Sequence, residues 1–480
     1  MSIAAPISAA HVRGAFERQR AAFLADGSPP LHVRIDRLRR LEQFLLRYEK
    51  LFVEALYADF GGRSPILTRV ADILGGIGAI RFTRDSLGAW MAPEPLDIGQ
   101  PDVDVAIHRA PRGVVGAIIP WNGPVLLGSL AMTGILAAGN RVLLKLPELA
   151  PATSQLMAEG LTALFDPAEV APLEGGPEIA EALTSLPLDH ILFTGSTAVG
   201  RKVMQAASAN LVPVTLELGG KSPVVITRSA DVTLAAARLT QAKLAFGGQV
   251  CVTPDYVLAP GDMINGLADG MLAAAHHLYP TITENDDYTA IISDRYYGRL
   301  QALIDDARAK GADIRTVNHN DVDTGKRSRK FPFTIVIGAH DDMAVMQEEI
   351  FGPILPIIAS NSLEHSLRFI RSRPHPLAAY YFGTEDAEIG LVTSGIQTGS
   401  IVINDALCQI FHEQIPFGGV GASGMGRYRG HEGFKTFSNS VSVVTQQSDE
   451  AVLASQRPPF GPDVAAYFDS QIEALRRSAA

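Results

Sequence analysis

One of the two cysteines in the 480-residue chain follows a short segment that contains two glycines, FGGQVC. A thiol forms a nucleophilic thiolate at modest cost near neutral pH, so Cys251 is a candidate for covalent catalysis. A single cysteine after an apolar run is also typical of a buried core position. Gly247 and Gly248 favour catalysis, because glycine lets the backbone bend and approach a ligand closely.

Two other polar residues follow segments that are typical of apolar strands. Glu217 precedes a Gly-Gly turn in ELGGKSP, and Asn122 lies in the turn of IIPWNGP. Ligands bind at the carboxyl edge of open α/β sheets, so Glu217 is a candidate general base and Asn122 a candidate oxyanion donor. A salt-bridged or capping glutamate and a turn-stabilising asparagine remain open alternatives.

Two further segments are candidates for binding a nucleotide. FTGSTAVGR leads from a strand through Gly195 and Ser196 into a helix, and the free N–H groups at a helix start suit a pyrophosphate. Thr197 occupies the second glycine position of a GxGxxG fingerprint, so a purely structural turn remains equally plausible. In LLKLPELAP, Lys145 and Glu148 are candidates for holding ribose hydroxyls, and the carboxylate would repel a 2′-phosphate.

The elements that must position these residues alternate along the chain. The first 90 residues have helical spacing, most clearly over 34–56. Beyond residue 109, β-rich runs alternate with helical runs, which predicts an α/β fold with two doubly wound parallel-sheet domains. The predicted strands are 114–119, 142–145, 190–194, 213–218, 223–227, 255–258, 334–337, 355–358, 378–382 and 400–404, and the helices between the first four are 125–138, 151–165, 178–185 and 197–207.

Composition excludes several classes of protein. The net charge of −10 argues against nucleic-acid binding, which needs a basic surface. Two cysteines favour a reducing, cytoplasmic location over a disulfide framework. The N-terminal segment lacks the order of a secretory signal, and the longest apolar run, 125–138, is short for a membrane span, so we expect no membrane anchor. No histidine or cysteine spacing indicates a metal site, so we expect none.

Taken in order, six motifs resemble those of the aldehyde dehydrogenase superfamily. They are PWN, FTGST, ELGGKSP, GGQVC, EEIFGP and PFGGVGASGMGR, and they span residues 118–427. No single motif is decisive, but the ordered set is specific. The residues after Cys251 and the segments DHILFTGS and FHEQIPFGG are similar to the shorter, class 3-like branch, and among it to the bacterial coniferyl- and benzaldehyde-type enzymes.

The resemblance implies NAD(P)-dependent oxidation of an aldehyde to a carboxylic acid. Cys251 would attack the aldehyde to give a thiohemiacetal and then an acyl thioester. Asn122 and the Cys251 backbone N–H would stabilise the oxyanion, and Glu217 would activate the water that hydrolyses the thioester. Two alternatives remain: a dehydrogenase that transfers the acyl group to coenzyme A, against which Glu217 argues, and a non-catalytic structural protein, which would be free to lose these three groups.

The resemblance also implies binding residues for cofactor and substrate. The implied cofactor contacts are Lys145 and Glu148 at the adenosine ribose, Gly195 and Ser196 at the pyrophosphate, Glu349 at the nicotinamide ribose and Phe351 beside the nicotinamide. The lysine motif departs from the usual KPSE, so NADP stays open, although Glu148 favours NAD. The implied substrate pocket contains Trp121, Leu126, Tyr256, Ile410 and Phe411, which would suit an aromatic or medium-chain aldehyde; core packing is the alternative for each.

The resemblance implies a domain organisation as well. It assigns 1–90 and 109–216 to the NAD(P)-binding domain, 217–405 to the catalytic domain, 91–108 and 406–446 to bridging and oligomerisation segments, and 447–480 to a C-terminal tail. The alternating segments around Val103 and over 437–445 are similar to the family's dimerisation arm. Exposed strand edges usually pair, so we expect a homodimer. The charged segment 321–330 is predicted to be a surface loop.

Overall fold

The computed structural model describes residues 8–100, 102–317, 328–450, 453 and 456–479. The chain forms two compact units: one comprises Met1–Trp90 and Pro111–Asn439, the other Met91–Ala110 and Ser440–Ala480. Most of the charged loop predicted at 321–330 lies outside the described residues.

Strands and helices alternate through most of the chain. Within the described ranges the strands are, in chain order, β1 (Glu94–Leu96), β2 (Val103–Pro111), β3 (Val114–Ile118), β4 (Arg141–Lys145), β5 (Val170–Leu173), β6 (His190–Gly195), β7 (Val214–Leu218), β8 (Ser222–Ile226), β9 (Pro254–Ala259), β10 (Asp313–Thr316), β11 (Thr334–Ile337), β12 (Ile354–Ala359), β13 (Ala378–Phe382), β14 (Ser400–Ile403), β15 (Gly424–Met425) and β16 (Ser438–Gln446). The α-helices described there are Ala9–Asp26, Leu31–Phe60, Pro65–Leu67, Gly75–Trp90, Pro124–Ala137, Pro151–Leu164, Pro177–Thr184, Thr197–Ser208, Val232–Leu244, Ile264–Leu278, Asp294–Ala309, Ala344–Gln347, Leu363–Arg371, Asp386–Gly395, Gly430–Thr436 and Pro462–Ser478. Shorter turns are the π-helical Thr68–Leu74 and the 3₁₀ segments Ala245–Gly248, Cys408–Phe411 and Gly421–Ser423.

The first sheet has the strand order β15-β7-β6-β3-β4-β5. Its neighbours from β7 to β5 pair in parallel, and β15 pairs antiparallel with β7. Every residue of β3 and β4 is buried, as is typical of a parallel sheet covered on both faces. Because β3, β6 and β7 run in parallel side by side, the residues at their carboxyl ends meet at one edge, and these include Asn122, Ser196 and Glu217.

The second sheet has the order β10-β11-β12-β9-β8-β13-β14. Its described pairs are parallel except for β10 with β11. The apolar core beside it includes Tyr256, Leu258, Val336 and Tyr381. The two parallel sheets with their helices confirm the predicted α/β class, whereas the assignment of domains to cofactor binding and catalysis stays a prediction.

The apolar run 125–138, predicted to be helical, forms the helix Pro124–Ala137. All of residues 128–137 are buried. Its hydroxyl groups are satisfied within the helix: Ser129 Oγ donates to the Val125 carbonyl and Thr133 Oγ1 to the Ser129 carbonyl, both at 2.7 Å. No helix in the described ranges combines the length and apolar character that a membrane crossing requires.

The second unit contains a three-stranded sheet in the order β1-β2-β16. Its strands β2 and β16 lie where the alternating segments predicted them. After its first residue, β16 is exposed along its whole length. The helix Pro462–Ser478 has no buried residue among those described.

Candidate active site

A cavity of about 880 Å³ opens at the carboxyl edge of the first sheet. It brings together the three predicted catalytic residues, Cys251, Glu217 and Asn122. The other predicted site residues that line it are Gly195, Ser196, Glu349, Phe351, Trp121, Leu126, Ile410 and Phe411. Residues from five separate motifs, PWN, FTGST, ELGGKSP, GGQVC and EEIFGP, therefore share one space with Ile410 and Phe411.

A strained turn presents Cys251 to this cavity. In the cysteine loop, residues 245–251, the backbone takes positive φ angles of 52°, 64° and 73° at Phe246, Gly247 and Gly248. A Cβ on Gly248 would lie 2.5 Å from the backbone of Gly352, so only glycine permits this close approach. The two glycines that favoured catalysis in the sequence thus shape the turn before the thiol.

The side chain of Gln249 locks the cysteine loop. Its amide nitrogen donates to the carbonyls of Phe246 and Ala290, and its amide oxygen accepts from the Ile292 N–H, each at 3.0 Å. The backbone carbonyl of Gln249 in turn accepts a hydrogen bond from Asn122 Nδ2 at 3.0 Å. The Asn122 amide is therefore fixed against the loop that carries the thiol.

A buried ion pair that the sequence did not indicate supports the same junction. Arg63 Nη2 lies 2.6 Å from Asp72 Oδ2, and both side chains are 1% exposed. Arg63 Nη1 also donates to the Asn122 carbonyl at 2.9 Å, and its guanidinium lies 4.6 Å from the centre of the Phe246 ring. Arg63 thus joins the Asn122 turn to the cysteine loop. In the sequence, Arg63 lies in GGRSP, a composition that predicts only a turn and not a functional role.

In the protein without bound cofactor, the electrostatic surroundings of Cys251 disfavour the thiolate form. The residue is partly exposed, yet burial of its sulfur raises the pKa of the thiol to about 12, and the nearby carboxylates Glu349 and Glu217 raise it further. The guanidinium of Arg429 acts in the opposite direction. The thiol form therefore predominates at neutral pH until another positive charge arrives or a base removes the proton.

Glu217 is a buried carboxylate without a partner. It is 3% exposed at the end of β7, and neither oxygen has a hydrogen-bond partner among the residues that the structure describes. Burial raises the pKa of Glu217 well above its ordinary value, and the charges of Arg429 and Arg427 oppose this. An unpaired, buried carboxylate of this kind is a stronger base than an exposed one.

The glycine-rich segment 416–427 fits closely around Glu217. Gly424 pairs with Glu217 across β15 and β7. A Cβ on Gly418 would lie 2.7 Å from Glu217 Oε1, and one on Gly424 would lie 2.4 Å from the Leu216 carbonyl. The glycines therefore permit a tight backbone fit around Glu217.

Glu349 reaches back to the turn that follows Glu217. A Cβ on Gly219 would lie 1.9 Å from Glu349 Oε2, so this glycine makes room for the carboxylate, and the Gly220 N–H donates to it. Burial raises the pKa of Glu349 to about 8, with a further contribution from Asp255.

The described residues fit a dinucleotide. Ser196 caps the helix Thr197–Ser208, with its Oγ accepting from the Val199 N–H at 3.4 Å, and the start of this helix lines the cavity with free N–H groups. Lys145 Nζ and Glu148 Oε2 are 2.6 Å apart. This pair is not among the residues that line the cavity, but it lies at the carboxyl end of β4, at the same edge of the first sheet.

The model of the aldehyde dehydrogenase family matches residues 3–443. The chain belongs to the aldehyde dehydrogenase family. It is therefore an enzyme, an oxidoreductase that oxidises an aldehyde with NAD(P).

Individual relatives in this family cover nearly the whole chain. A Caulobacter vibrioides protein named "Probable coniferyl aldehyde dehydrogenase" is 41% identical over 95% of this chain and 96% of its own. The "Aldehyde dehydrogenase, dimeric NADP-preferring" of Canis lupus familiaris is 34% identical over 92% of this chain and 96% of its own. The structure of Staphylococcus aureus AldH in a substrate-bound state superposes with a TM-score of 0.86 at 33% identity, covering 91% of this chain and 94% of that one.

One predicted pocket residue of this aldehyde dehydrogenase lies elsewhere. Tyr256 is 1% exposed on β9 and packs in the core of the second sheet, with its ring 5.8 Å from that of Phe369. Its assignment to the substrate pocket is wrong, because the strand turns this side chain to the core face. Among the described residues, lining side chains that the sequence did not indicate include Arg63, Phe82, Leu127, Tyr296, Glu413, Phe417 and Arg429.

Proposed function

We propose that this aldehyde dehydrogenase oxidises aromatic aldehydes of the coniferyl or benzaldehyde type through a covalent thioester on Cys251. One observation carries the proposal: Cys251, Asn122 and the unpartnered Glu217 line a single cavity whose wall is largely apolar. Aromatic contacts support the substrate class, since the Trp121 ring lies 5.2 Å from Tyr296 and 5.5 Å from Phe351. The name of the Caulobacter relative points to the same class.

In the first step, the thiol of Cys251 gives up its proton to solvent, its sulfur bonds to the carbonyl carbon, and the carbonyl oxygen takes the electron pair of the broken π bond. One N–H of the Asn122 amide is engaged by Gln249, so its second N–H, together with the Cys251 backbone N–H, is available for that oxyanion. NAD(P), when bound, supplies the acceptor for the hydride that leaves this carbon. Ser196, the helix start behind it, Glu349 and Phe351 would hold it in the cavity.

In the second step, Glu217 acts as the base for hydrolysis of the thioester, which releases the carboxylic acid product. Both its oxygens are free of protein donors, so either can take a proton from a water molecule. The water oxygen attacks the thioester carbon, the carbon–sulfur bond breaks, and the departing sulfur takes the proton back from Glu217, which restores both the thiol of Cys251 and the carboxylate. Transfer of the acyl group to coenzyme A would need no such base, and this disfavours the acylating alternative.

A substrate screen tests this proposal. NAD(P) reduction would be measured with cinnamaldehydes, benzaldehydes and aliphatic aldehydes, and the products identified by mass. We expect one carboxylic acid per reduced cofactor, with kcat/KM for the best aromatic aldehydes about tenfold or more above that for short aliphatic ones. Absence of cofactor reduction with every aldehyde, or products that form only as coenzyme A thioesters, would overturn it.

We further propose a preference for NAD over NADP. The carboxylate of Glu148, half exposed beside Lys145, would repel a 2′-phosphate. The ratio of kcat/KM for the two cofactors should exceed one and should fall in Glu148→Gln. A wild-type preference for NADP, as the name of the canine relative states for that enzyme, would contradict this.

We also propose that the chain is a cytoplasmic homodimer. Strand β16 is an edge of its sheet and exposes Val441, Val443 and Val444, and exposed apolar edges favour pairing with another chain. Cys251 and Cys408 are both free thiols, which suits a reducing compartment. Sedimentation at micromolar concentration should give twice the chain mass; a monomer there would refute the dimer.

A further inference from the structure

One acidic residue in the cavity is left without a role by the proposed mechanism. The acidic residues among the described lining are Asp72, Glu217, Glu348, Glu349 and Glu413. Three of them have partners: Asp72 pairs with Arg63, Glu348 with Arg299, and Glu349 accepts from the Gly220 N–H. Glu217 is the base for water. Glu413 therefore remains to be explained.

The carboxylate of Glu413 is mostly buried and accepts no hydrogen bond from the residues described. Its side chain is 15% exposed. The nearest cation, Arg429 Nη1, lies 4.0 Å from Glu413 Oε1, too far for a hydrogen bond, and donates instead to the Ile410 carbonyl at 2.9 Å. The guanidinium is held in place by stacking 4.1 Å from the centre of the Phe417 ring. Arg429 is thus close enough to attract the Glu413 carboxylate but does not donate a hydrogen bond to it.

The position of Glu413 associates it with the substrate rather than with the cofactor. It lies in the segment 410–414, of which Ile410, Phe411 and Gln414 also line the cavity. Ile410 and Phe411 are two of the predicted substrate-pocket residues, and no residue of this segment is among those predicted to hold the cofactor. Burial raises the pKa of Glu413, and the charge of Arg429 opposes the rise. Because no described group donates a hydrogen bond to this carboxylate, a donor on a bound ligand can pair with it.

We propose that Glu413 is a specificity-determining residue that accepts a hydrogen bond from a hydroxyl group on the aromatic ring of the aldehyde, remote from the reacting carbonyl. The inference rests on the proposed oxidation of aromatic aldehydes and narrows it to hydroxylated ones. A phenol O–H is a strong donor, and coniferyl aldehyde, for which the Caulobacter relative is named, carries one. An apolar ring would leave Glu413 desolvated and unpaired, which disfavours binding.

Three aldehydes that differ only at the para position test this proposal: 4-hydroxycinnamaldehyde, 4-methoxycinnamaldehyde and cinnamaldehyde. The readout is the ratio of kcat/KM values, measured below the pKa of the phenol. Wild type should favour the hydroxylated aldehyde over both others by about 10-fold or more, since hydrogen bonds to charged groups discriminate at this level. Glu413→Leu should bring both ratios to within about threefold of unity, and Glu413→Gln should leave an intermediate preference.

A matched control removes a carboxylate outside the cavity. Glu385→Leu lies on the exposed surface and should keep the wild-type ratios. Equal wild-type efficiencies with all three aldehydes, or a preference that survives Glu413→Leu, would overturn the inference while leaving aromatic aldehyde oxidation intact. Turnover of aliphatic aldehydes without turnover of any cinnamaldehyde would overturn the inference together with the aromatic substrate class.

Discussion

Two glutamates of the first unit, the partly buried Glu169 and the buried Glu217, have opposite surroundings. Glu169 lies 2.9 Å from Arg37 and 2.7 Å from Arg40. Burial tends to raise the pKa of Glu169, but these guanidiniums outweigh it, so the pKa is lowered. Glu217 has no partner among the described residues, and burial raises its pKa well above the usual value.

The difference indicates that Glu169 contributes to the stability of the fold, whereas Glu217 is available for the reaction. A paired carboxylate favours the folded state, because its ionised form gains contacts that the unfolded chain lacks. An unpaired buried carboxylate costs free energy, and it keeps its lone pairs free for a proton. We therefore expect substitutions in the cavity to change activity more than stability, and substitutions at the paired site to do the reverse.

Cys251→Ala gives the largest expected effect. Loss of the nucleophile should lower turnover of aldehydes by about 10⁴-fold or more. The melting temperature should change little, since the residue is partly exposed and unpaired. Turnover is measured as steady-state NADH production, and the melting temperature by thermal unfolding. Substantial residual turnover in the pure variant would show that another residue is the nucleophile.

Glu217→Gln should separate the two chemical steps. Acylation should persist as one burst of NADH per site, and the steady-state rate after it should fall by about 10²- to 10⁴-fold, because no group removes the proton from water. Stability should be unchanged or higher, because a buried charge without a partner is gone. Rapid-mixing kinetics test this, and a variant that cycles at the wild-type rate would show that another base operates.

The pH dependence of alkylation at Cys251 is a further test of the unpaired charges in the cavity. Because burial and nearby carboxylates raise the pKa of Cys251 to about 12, its reaction with iodoacetamide in the cofactor-free protein should accelerate about tenfold per pH unit up to at least about pH 10. Glu349→Gln removes one of those negative charges and should shift the profile to lower pH. A Cys408→Ser background isolates the signal, and a plateau below pH 8 would be inconsistent with these surroundings.

Glu169→Gln should show the reverse pattern, with the smallest effect on activity. The Glu169 carboxylate accepts three hydrogen bonds from Arg37 and Arg40, and loss of its charge should lower the free energy of unfolding by about 1–3 kcal/mol. The contribution of Glu169 is present above the ordinary carboxylate pKa and is lost as pH falls through its lowered folded value, so the gap between variant and wild type should close in acid. Urea unfolding at neutral and acidic pH measures this. A large loss of kcat in the folded variant would break the comparison.

Much of the fold was predictable because parallel strands are continuous apolar runs. The predicted strands 334–337 and 378–382 have the bounds of β11 and β13. The sequence missed β10, Asp313–Thr316, because an edge strand with half-exposed residues carries no apolar run. It also missed β15, since a two-residue strand is defined only by its partner.

The candidate site was predictable where a motif carries its own chemistry. Cys251, Glu217 and Asn122 are conspicuous by residue type and by their place after apolar segments. Arg63 and Glu413 are not, because their importance comes from contacts with residues far away along the chain. Their roles can be recognised only in the three-dimensional structure. The same holds for the face of β9 on which Tyr256 lies.

The ladder between Glu217 and Gly424 joins residues separated by some two hundred positions along the chain. The site of the base is thus completed by a segment that leaves the ribosome some two hundred residues after the base itself. A nascent chain can build both parallel sheets beforehand, yet it cannot hold Glu217 in its final surroundings until that segment docks. Competence for hydrolysis therefore follows the synthesis of the parallel strands of both sheets.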